Sequence, residues 1–458
     1  MATTRICIGN GCGFWGDSLQ APITLAERGR LDYLTLEYLA ELTMSILALQ
    51  KQRDPEAGFA TDFLDVLERL VPTLHAQPRL KIVTNAGGMN PRACAAKARA
   101  LLDKAGLTDR AVATVSGDDL IPRLDALLAA GHALKHLDTA EPLATIRPRV
   151  VSANVYFGAR PIVEALRRGA AVVITGRVAD ASLTLAPAVH EFGWRWDDWD
   201  RLAAATTAGH LIECGAQCTG GLWCNWRELT DLAGVGYPIA EVDADGSFTI
   251  TKPPDTGGAV NRETVSEQLL YEVGDPASYL TPDVTADFTS VALAETGRDV
   301  VRVTGARGKP ATDSYKVSIA YRDGFISSGT LVIAGPGAAT KARFCGEVLL
   351  DRLRRVGVEP QHSRIECLGA GDCVPGVLPR AGAWSPDHAP EVVLRVAVRD
   401  GRRAVVERFT KEFAPLVTAG PPGVTGYTTG RPAVREVFAY WPALLAKDAV
   451  TPAVEIVG

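Results

Sequence analysis

From Arg5 to Thr175 the chain alternates short apolar runs with longer segments whose apolar residues recur at helical spacing. The runs Arg5–Gly9, Tyr33–Tyr38, Leu80–Thr84, Ala111–Ser116 and Ala171–Thr175 read as buried strands. Between them, Leu19–Arg28, Leu39–Gln50, Phe63–Leu74, Arg92–Lys104, Asp119–Ala130 and Ile162–Arg168 read as helices. Two parallel strands cannot be joined by a tight turn, and an intervening helix supplies the crossover they need. The repeat therefore predicts an α/β fold with a mainly parallel sheet in its N-terminal part.

After Gly220 the pattern changes. The stretch IAEVDADGSFTIT reads as two strands turned around DADG, a hairpin signal. Val300–Ala306, Tyr315–Tyr321 and Gly329–Ala334 are β-rich, Gly335–Arg355 is a long helix, and Glu391–Val398 is a strand followed by a helix over Arg402–Leu416. Thr418–Pro432 is a glycine- and threonine-rich loop. These shifts divide the chain into an α/β domain over 1–215, a β-rich α+β part over 216–335 that covers the site, and a small α/β part over 336–458.

Several strand-to-helix turns share one design. Ile8–Asp17, Ile82–Pro91 and Gly176–Trp194 each follow an apolar strand with glycine and a polar residue before the next helix. In open α/β sheets the carboxyl ends of the strands are where ligands bind. Asn10, Asn85 and Asn154 sit just after strands, where an amide can bond a carbonyl or an oxyanion and also tolerates left-handed backbone. Arg177 and Asp180 fall at a strand end and the first turn of a helix starting near Ala179. A guanidinium there suits a carboxylate or phosphate, and the same two residues can equally pair with each other at a cap. The four residues Asn10, Asn85, Asn154 and Arg177 are expected at one edge of the sheet, with Arg177 gripping an anionic group of the ligand.

Further candidates are chemical. His210 and Glu213 in GHLIECG are three apart and share a helix face, a spacing for proton transfer or for a helix cap with a buried histidine. Glu37 is a carboxylate inside an apolar strand and needs a partner, Arg53 or Arg177, or a raised pKa. Asp118 and Asp119 follow a strand, where Asp119 can cap the next helix. Thr256 and Gly257 in PPDTGGAV, with Gly258, Lys316 and Tyr321 beyond, are placed to line a cleft between domains. The spacing of Cys214, Cys218 and Cys224 matches no strong zinc pattern, and no metal or cofactor is expected. No complete GxGxxG, Walker A or GxSxG motif is present, so dinucleotide, P-loop and nucleophile-elbow chemistry lack support.

Composition sets the remaining bounds. The 458 residues, 47% hydrophobic and 22% charged, can bury a large core. A net charge of −5 argues against non-specific nucleic-acid binding. No run approaches a membrane span, and Met1–Arg5 lead into a strand without the pattern of a secretory signal. Nine scattered cysteines, an odd number, fit reduced thiols and a cytoplasmic setting.

GNGCGFWGD, LDYLTLEYLAELT, RDPEAGF, IVTNAGGMNP, ITGRVADASLTLAP, AGHLIECGAQCTGG, IAEVDADGSFTITK, TGGAVNRETVSEQLLYEV and VSIAYRDGF together resemble the acyclic terpene utilisation AtuA family. The resemblance runs from about Arg5 to the C terminus and rests on long motifs in order. It implies catabolism of citronellol- and geraniol-type terpenes as acyl-CoA thioesters, by hydration or by cleavage of a branched 3-hydroxyglutaryl-CoA-type intermediate. It brings no assignment of catalytic residues. The expected function is an enzyme of acyl-CoA or small branched-acid catabolism, a hydratase or carbon–carbon lyase. The alternative is a non-catalytic binding or scaffold subunit of such a pathway. The expected partners are a small molecule, acyl-CoA included, and further copies of the chain, with neither nucleic acid nor membrane.

Overall fold

The computed structural model describes residues 4–376, 388–426 and 430–457. Of the loop expected over Thr418–Pro432, Tyr427–Thr429 lie outside the described residues. The chain forms two compact units, Met1–Tyr321 with Tyr440–Gly458, and Arg322–Ala439. Position 215 lies inside the first unit and position 335 inside the second.

The first unit is built on a ten-stranded sheet. Its early strands are β1 (Arg5–Asn10), β2 (Tyr33–Leu36), β3 (Lys81–Thr84), β4 (Val112–Ser116) and β6 (Val172–Thr175), while β5 (Val150–Val155) lies elsewhere. The contiguous block β1-β2-β3-β6-β4 is parallel throughout. Its strands β2 and β6 read YLTL and VVIT with every residue buried, as expected where both faces are covered.

The sheet as a whole is mixed, which corrects the expectation of a mainly parallel one. Strands β7 (Ile239–Asp243) and β8 (Phe248–Thr251) hydrogen-bond onto β1 as an antiparallel extension, continued by Val300–Thr304 and Ala292–Gly297. At the other edge the last strand, Ala453–Val457, runs antiparallel to β4. Between β7 and β8 the reason is local: a hairpin with a four-residue loop can only return antiparallel. In that loop Gly246 takes φ +94°, and Asp243 N donates to Ser247 O at 2.9 Å. The segment after Pro238 thus adds strands to the first sheet. Strand β5 leaves that sheet to pair antiparallel with Val317–Tyr321 of the strand Ser314–Ala334.

Other boundaries moved for identifiable causes. The helix expected over Asp119–Ala130 is a 3-10 turn, Ile121–Arg123, followed by a helix over Leu124–Ala129. Asp119 Oδ1 accepts from Ile121 N at 3.0 Å and Pro122 follows, an Asx turn that delays the helix. The helix expected from Leu39 begins at Thr43, and the one expected from Ala179 begins at Ser182. Both delays lie beside Arg177, as described below.

In the second unit, Phe325–Ala334 pairs antiparallel with the strand Glu391–Asp400, which pairs in turn with His362–Leu368. The helix Ala338–Arg355 contributes Ala342, Cys345, Leu349 and Leu353 to the core of this unit. The two β segments expected at Tyr315–Tyr321 and Gly329–Ala334 are one strand of 21 residues. The helix expected over Arg402–Leu416 stops at Phe409, and Leu416–Ala419 is a separate turn of helix beginning directly after Pro415. Among the described residues no helix is long and apolar enough to cross a membrane.

Candidate functional site

A cavity of about 650 Å³ opens in the first unit, beyond the carboxyl end of β6. Arg177 and Asp180 reach it from the turn after β6, and His210 and Glu213 from the carboxyl end of the helix Trp199–Ile212. Tyr156 arrives from the turn after β5 and Lys316 from the strand Ser314–Ala334. Glu41, Glu272, Tyr279, Thr281, Thr312 and Ser314 complete the polar lining, and Leu137, Leu280 and Leu444 add apolar surface.

Arg177 is the hub of the floor. Its side chain is 2% exposed. Nη2 lies 3.0 Å from Asp180 Oδ1, Nη1 donates to Leu39 O and lies 3.8 Å from Glu37 Oε1, and the guanidinium rides 4.2 Å over the Tyr156 ring. Burial pulls its pKa down, but Asp180, Tyr156 and Glu37 outweigh burial and the group stays charged. Asp180 and the Leu39 carbonyl thus hold the two Nη atoms, while Nε has no hydrogen-bond partner among the described residues. These bonds also explain the delayed helix. Leu39 O is tied to Arg177 and Leu39 N to Glu37 Oε1 at 3.0 Å, so residues 39–42 run as loop.

Burial acts on the carboxylates in the opposite sense. It drives Asp180 up to about 7, against the pull of Arg177 and with the push of Glu213. A third of the Asp180 side chain remains exposed, toward the cavity. Glu37 is pushed well above the usual carboxylate range by burial and then by Asp180. Its Oε1 accepts from Asn85 Nδ2, and Asn85 Oδ1 accepts from Tyr38 N at 2.7 Å.

His210 is 2% exposed and stacks on Phe288, with ring centroids 5.5 Å apart. Its Nε2 lies 3.2 Å from Leu269 O, a carbonyl that can only accept, so Nε2 carries a proton. Nδ1 lies 3.4 Å from Glu213 Oε1. Burial lowers the imidazole pKa, but Glu213 outweighs it and the net direction is up. Asn10 fixes this helix end, since its Nδ2 donates to Ile212 O at 2.8 Å, Glu213 O at 2.9 Å and Cys12 O at 3.0 Å.

The expected residues therefore sort into two layers. Arg177, Asp180, His210 and Glu213 line the cavity. Asn10, Asn85 and Glu37 lie beneath it, with Asp118 and Asn154 joined to the same turn. Asn154 Nδ2 and Arg177 N both donate to Asp118 Oδ2 at 2.9 Å, and burial raises Asp118 to about 6. Each of the five bonds a group of the protein, while Glu37 Oε2 and Asn154 Oδ1 have no hydrogen-bond partner among the described residues.

Thr256 and Gly257 stand apart. Thr256 Oγ1 donates to Pro253 O at 2.6 Å, and Gly257 N to Gly234 O at 2.8 Å, in a turn that does not line the cavity. Among the described residues no group of three or more His, Cys, Asp or Glu is arranged to hold a metal ion, Cys214, Cys218 and Cys224 included. All nine cysteines are free.

Tyr156 and Glu41 were missed although each lies near a chosen residue, Tyr156 two after Asn154 and Glu41 four after Glu37. Glu272 lies in the quoted stretch TGGAVNRETVSEQLLYEV, but nothing local in the sequence marks it, Tyr279 or Thr281 as cavity residues, and only tertiary packing brings them in.

Fold and site together define a mixed α/β protein with an acid-rich cavity at the carboxyl edge of its parallel strands. The model of the acyclic terpene utilisation family protein AtuA matches residues 6–456, and the chain belongs to that family. No curated protein and no solved structure matches the chain.

Proposed function

We propose that this protein is an enzyme of acyl-CoA or small branched-acid catabolism, a hydratase or carbon–carbon lyase that moves a proton next to a carbonyl. The observation that carries the reading is the meeting of Asp180 and the His210–Glu213 pair in one cavity. A carboxyl group near pH 7 can both take and return a proton at neutral pH, the condition for efficient general acid–base catalysis. His210, protonated on Nε2 toward Leu269 O and backed by Glu213, supplies a second proton site. A volume of about 650 Å³ suits the reacting part of a small metabolite. The family's name, acyclic terpene utilisation, favours a branched carbon skeleton. The free thiols fit a cytoplasmic setting.

The test starts from molecules that the freshly purified protein retains, identified by mass spectrometry after denaturation. Returned to the native protein, the retained compound is expected to gain or lose water, or to break a carbon–carbon bond. Asp180→Asn is expected to slow that conversion by about 10²–10⁴-fold, the usual worth of a general acid–base group. Recovery of the compound unchanged with the wild-type protein would make this a binding subunit instead.

A further inference from the structure

The lining of the cavity contains a donor that no described residue uses. The Tyr156 hydroxyl is buried and has no hydrogen-bond partner among the described residues, and the residue, only 7% exposed, lines the cavity. Two cations flank its ring, the Arg177 guanidinium at 4.2 Å and Lys316 Nζ at 4.8 Å. Lys316 Nζ faces the same cavity, 3.9 Å from Glu41 Oε1, on a side chain that is 43% exposed. Leaving a buried hydroxyl without a partner is costly. Such a group persists where a molecule entering the cavity supplies the partner.

We propose that Tyr156 and Lys316 form an oxygen-binding subsite of the cavity, taking the carbonyl oxygen of a hydroxy-carbonyl compound and stabilising negative charge that develops on it. The inference rests on the proton-transfer reading above and names the group that receives the electrons. Burial holds the Tyr156 hydroxyl up at about 12, against the pull of Arg177 and Lys316, so it is a proton donor at neutral pH. The lining carboxylates at Glu41, Asp180, Glu213 and Glu272 can accept from a hydroxyl on that compound.

The step balances without a further reactant. Asp180 takes a proton from the carbon beside the carbonyl. The C–H pair becomes the new C=C bond, and the carbonyl π pair moves onto oxygen. The resulting oxyanion lies against the Tyr156 hydroxyl and the Lys316 ammonium, donors of the kind that stabilise enolates. Return of the proton to carbon reverses each movement.

The probe is hydroxyacetone labelled with ¹³C at its carbonyl carbon, added to the full chain in D₂O. Two quantities are read by NMR: the carbonyl shift of bound probe, and the rate at which its C–H protons exchange for deuterium. Wild type is expected to move the carbonyl signal downfield and to speed exchange. Tyr156→Phe keeps the ring beside its cations and is expected to lose the shift and slow exchange by about 10²-fold, the worth of one such donor. Asp180→Asn is expected to keep the shift and lose the exchange. Should Tyr156→Phe fail to fold, Lys316→Gln on its half-exposed side chain decides, with a smaller shift and slower exchange expected. No shift in wild type, or the same shift in wild type and in these two variants, overturns the subsite. A shift without exchange in wild type supports the subsite and overturns the proton-transfer reading. Exchange that is equal in wild type and Tyr156→Phe, with no shift, does the reverse.

Discussion

The carboxylate of Asp118 lies where a side chain at Gly176 would begin: a Cβ there would stand 2.2 Å from Asp118 Oδ1. The glycine that ends β6 is therefore needed for space, and what it admits is an aspartate of the chain itself. That aspartate holds Arg177 N and Asn154 Nδ2 together, so the turn carrying the cavity's arginine is fastened to β4 and β5 from below.

Gly176→Ala is expected to lower stability by about 2–5 kcal/mol, combining overpacking with displaced hydrogen bonds to Asp118. Thermal melting measures it. An unchanged melting temperature would mean that Asp118 can move aside at little cost.

Arg177→Lys keeps the charge but cannot reach Leu39 O, Asp180 and the Tyr156 face together. A loss of roughly 1–3 kcal/mol follows from leaving buried groups unpaired. Urea unfolding followed by far-UV circular dichroism checks this, and a variant as stable as wild type would return Arg177 to the role of a free anion fork.

Asp180 has a pH signature. An aspartate releases its proton near 3.8 when unfolded and near 7 in this fold. The folded chain therefore holds that proton more tightly. The stability this contributes is complete below about pH 4 and disappears as pH rises through about 7. Asp180→Asn is permanently neutral, so its stability relative to wild type should rise between pH 4 and 7 and then level off. Paired denaturation curves across that range would show a flat difference if Asp180 had an ordinary pKa.

Asn10→Ala removes the amide that bonds three carbonyls, two of them at the end of the helix bearing His210 and Glu213. About 1–3 kcal/mol should be lost. The more telling measurement is the ¹⁵N titration of His210, which should move toward an ordinary histidine as its contact with Glu213 loosens. A titration identical to wild type would show that the helix end keeps its place unaided.

Much of this architecture was legible because it is local. The strand-to-helix alternation marked β1, β2, β3, β4 and β6, and the DADG turn marked the β7–β8 hairpin, since periodicity and turn chemistry act within a few residues. Arg177, Asp180, His210 and Glu213 could be chosen because charge at a strand end or on a buried helix face is costly and rarely idle. Which side of each turn a polar group would serve was not legible. Asn10, Asn85 and Asn154 look alike in sequence, yet their amides turn to carbonyls and carboxylates of the protein, as only the packed structure decides. Nor does a local pattern say that residues after Pro238 will extend a sheet begun at Arg5, or that Lys316 will meet Tyr156.

The last strand, Ala453–Val457, covers the open edge of β4, and Arg168 Nη1 fastens it through Val454 O at 2.9 Å. During synthesis, β4 emerges from the ribosome long before that partner does, and all of Arg322–Ala439 is translated in between. A bare strand edge invites pairing with the wrong chain. The first unit thus cannot finish its sheet until Ala453–Val457 has been made, whereas the second has its whole sequence earlier. Nascent copies crowded on one messenger would be the ones most exposed to mispairing, and a chaperone that shields β4 would act in that interval.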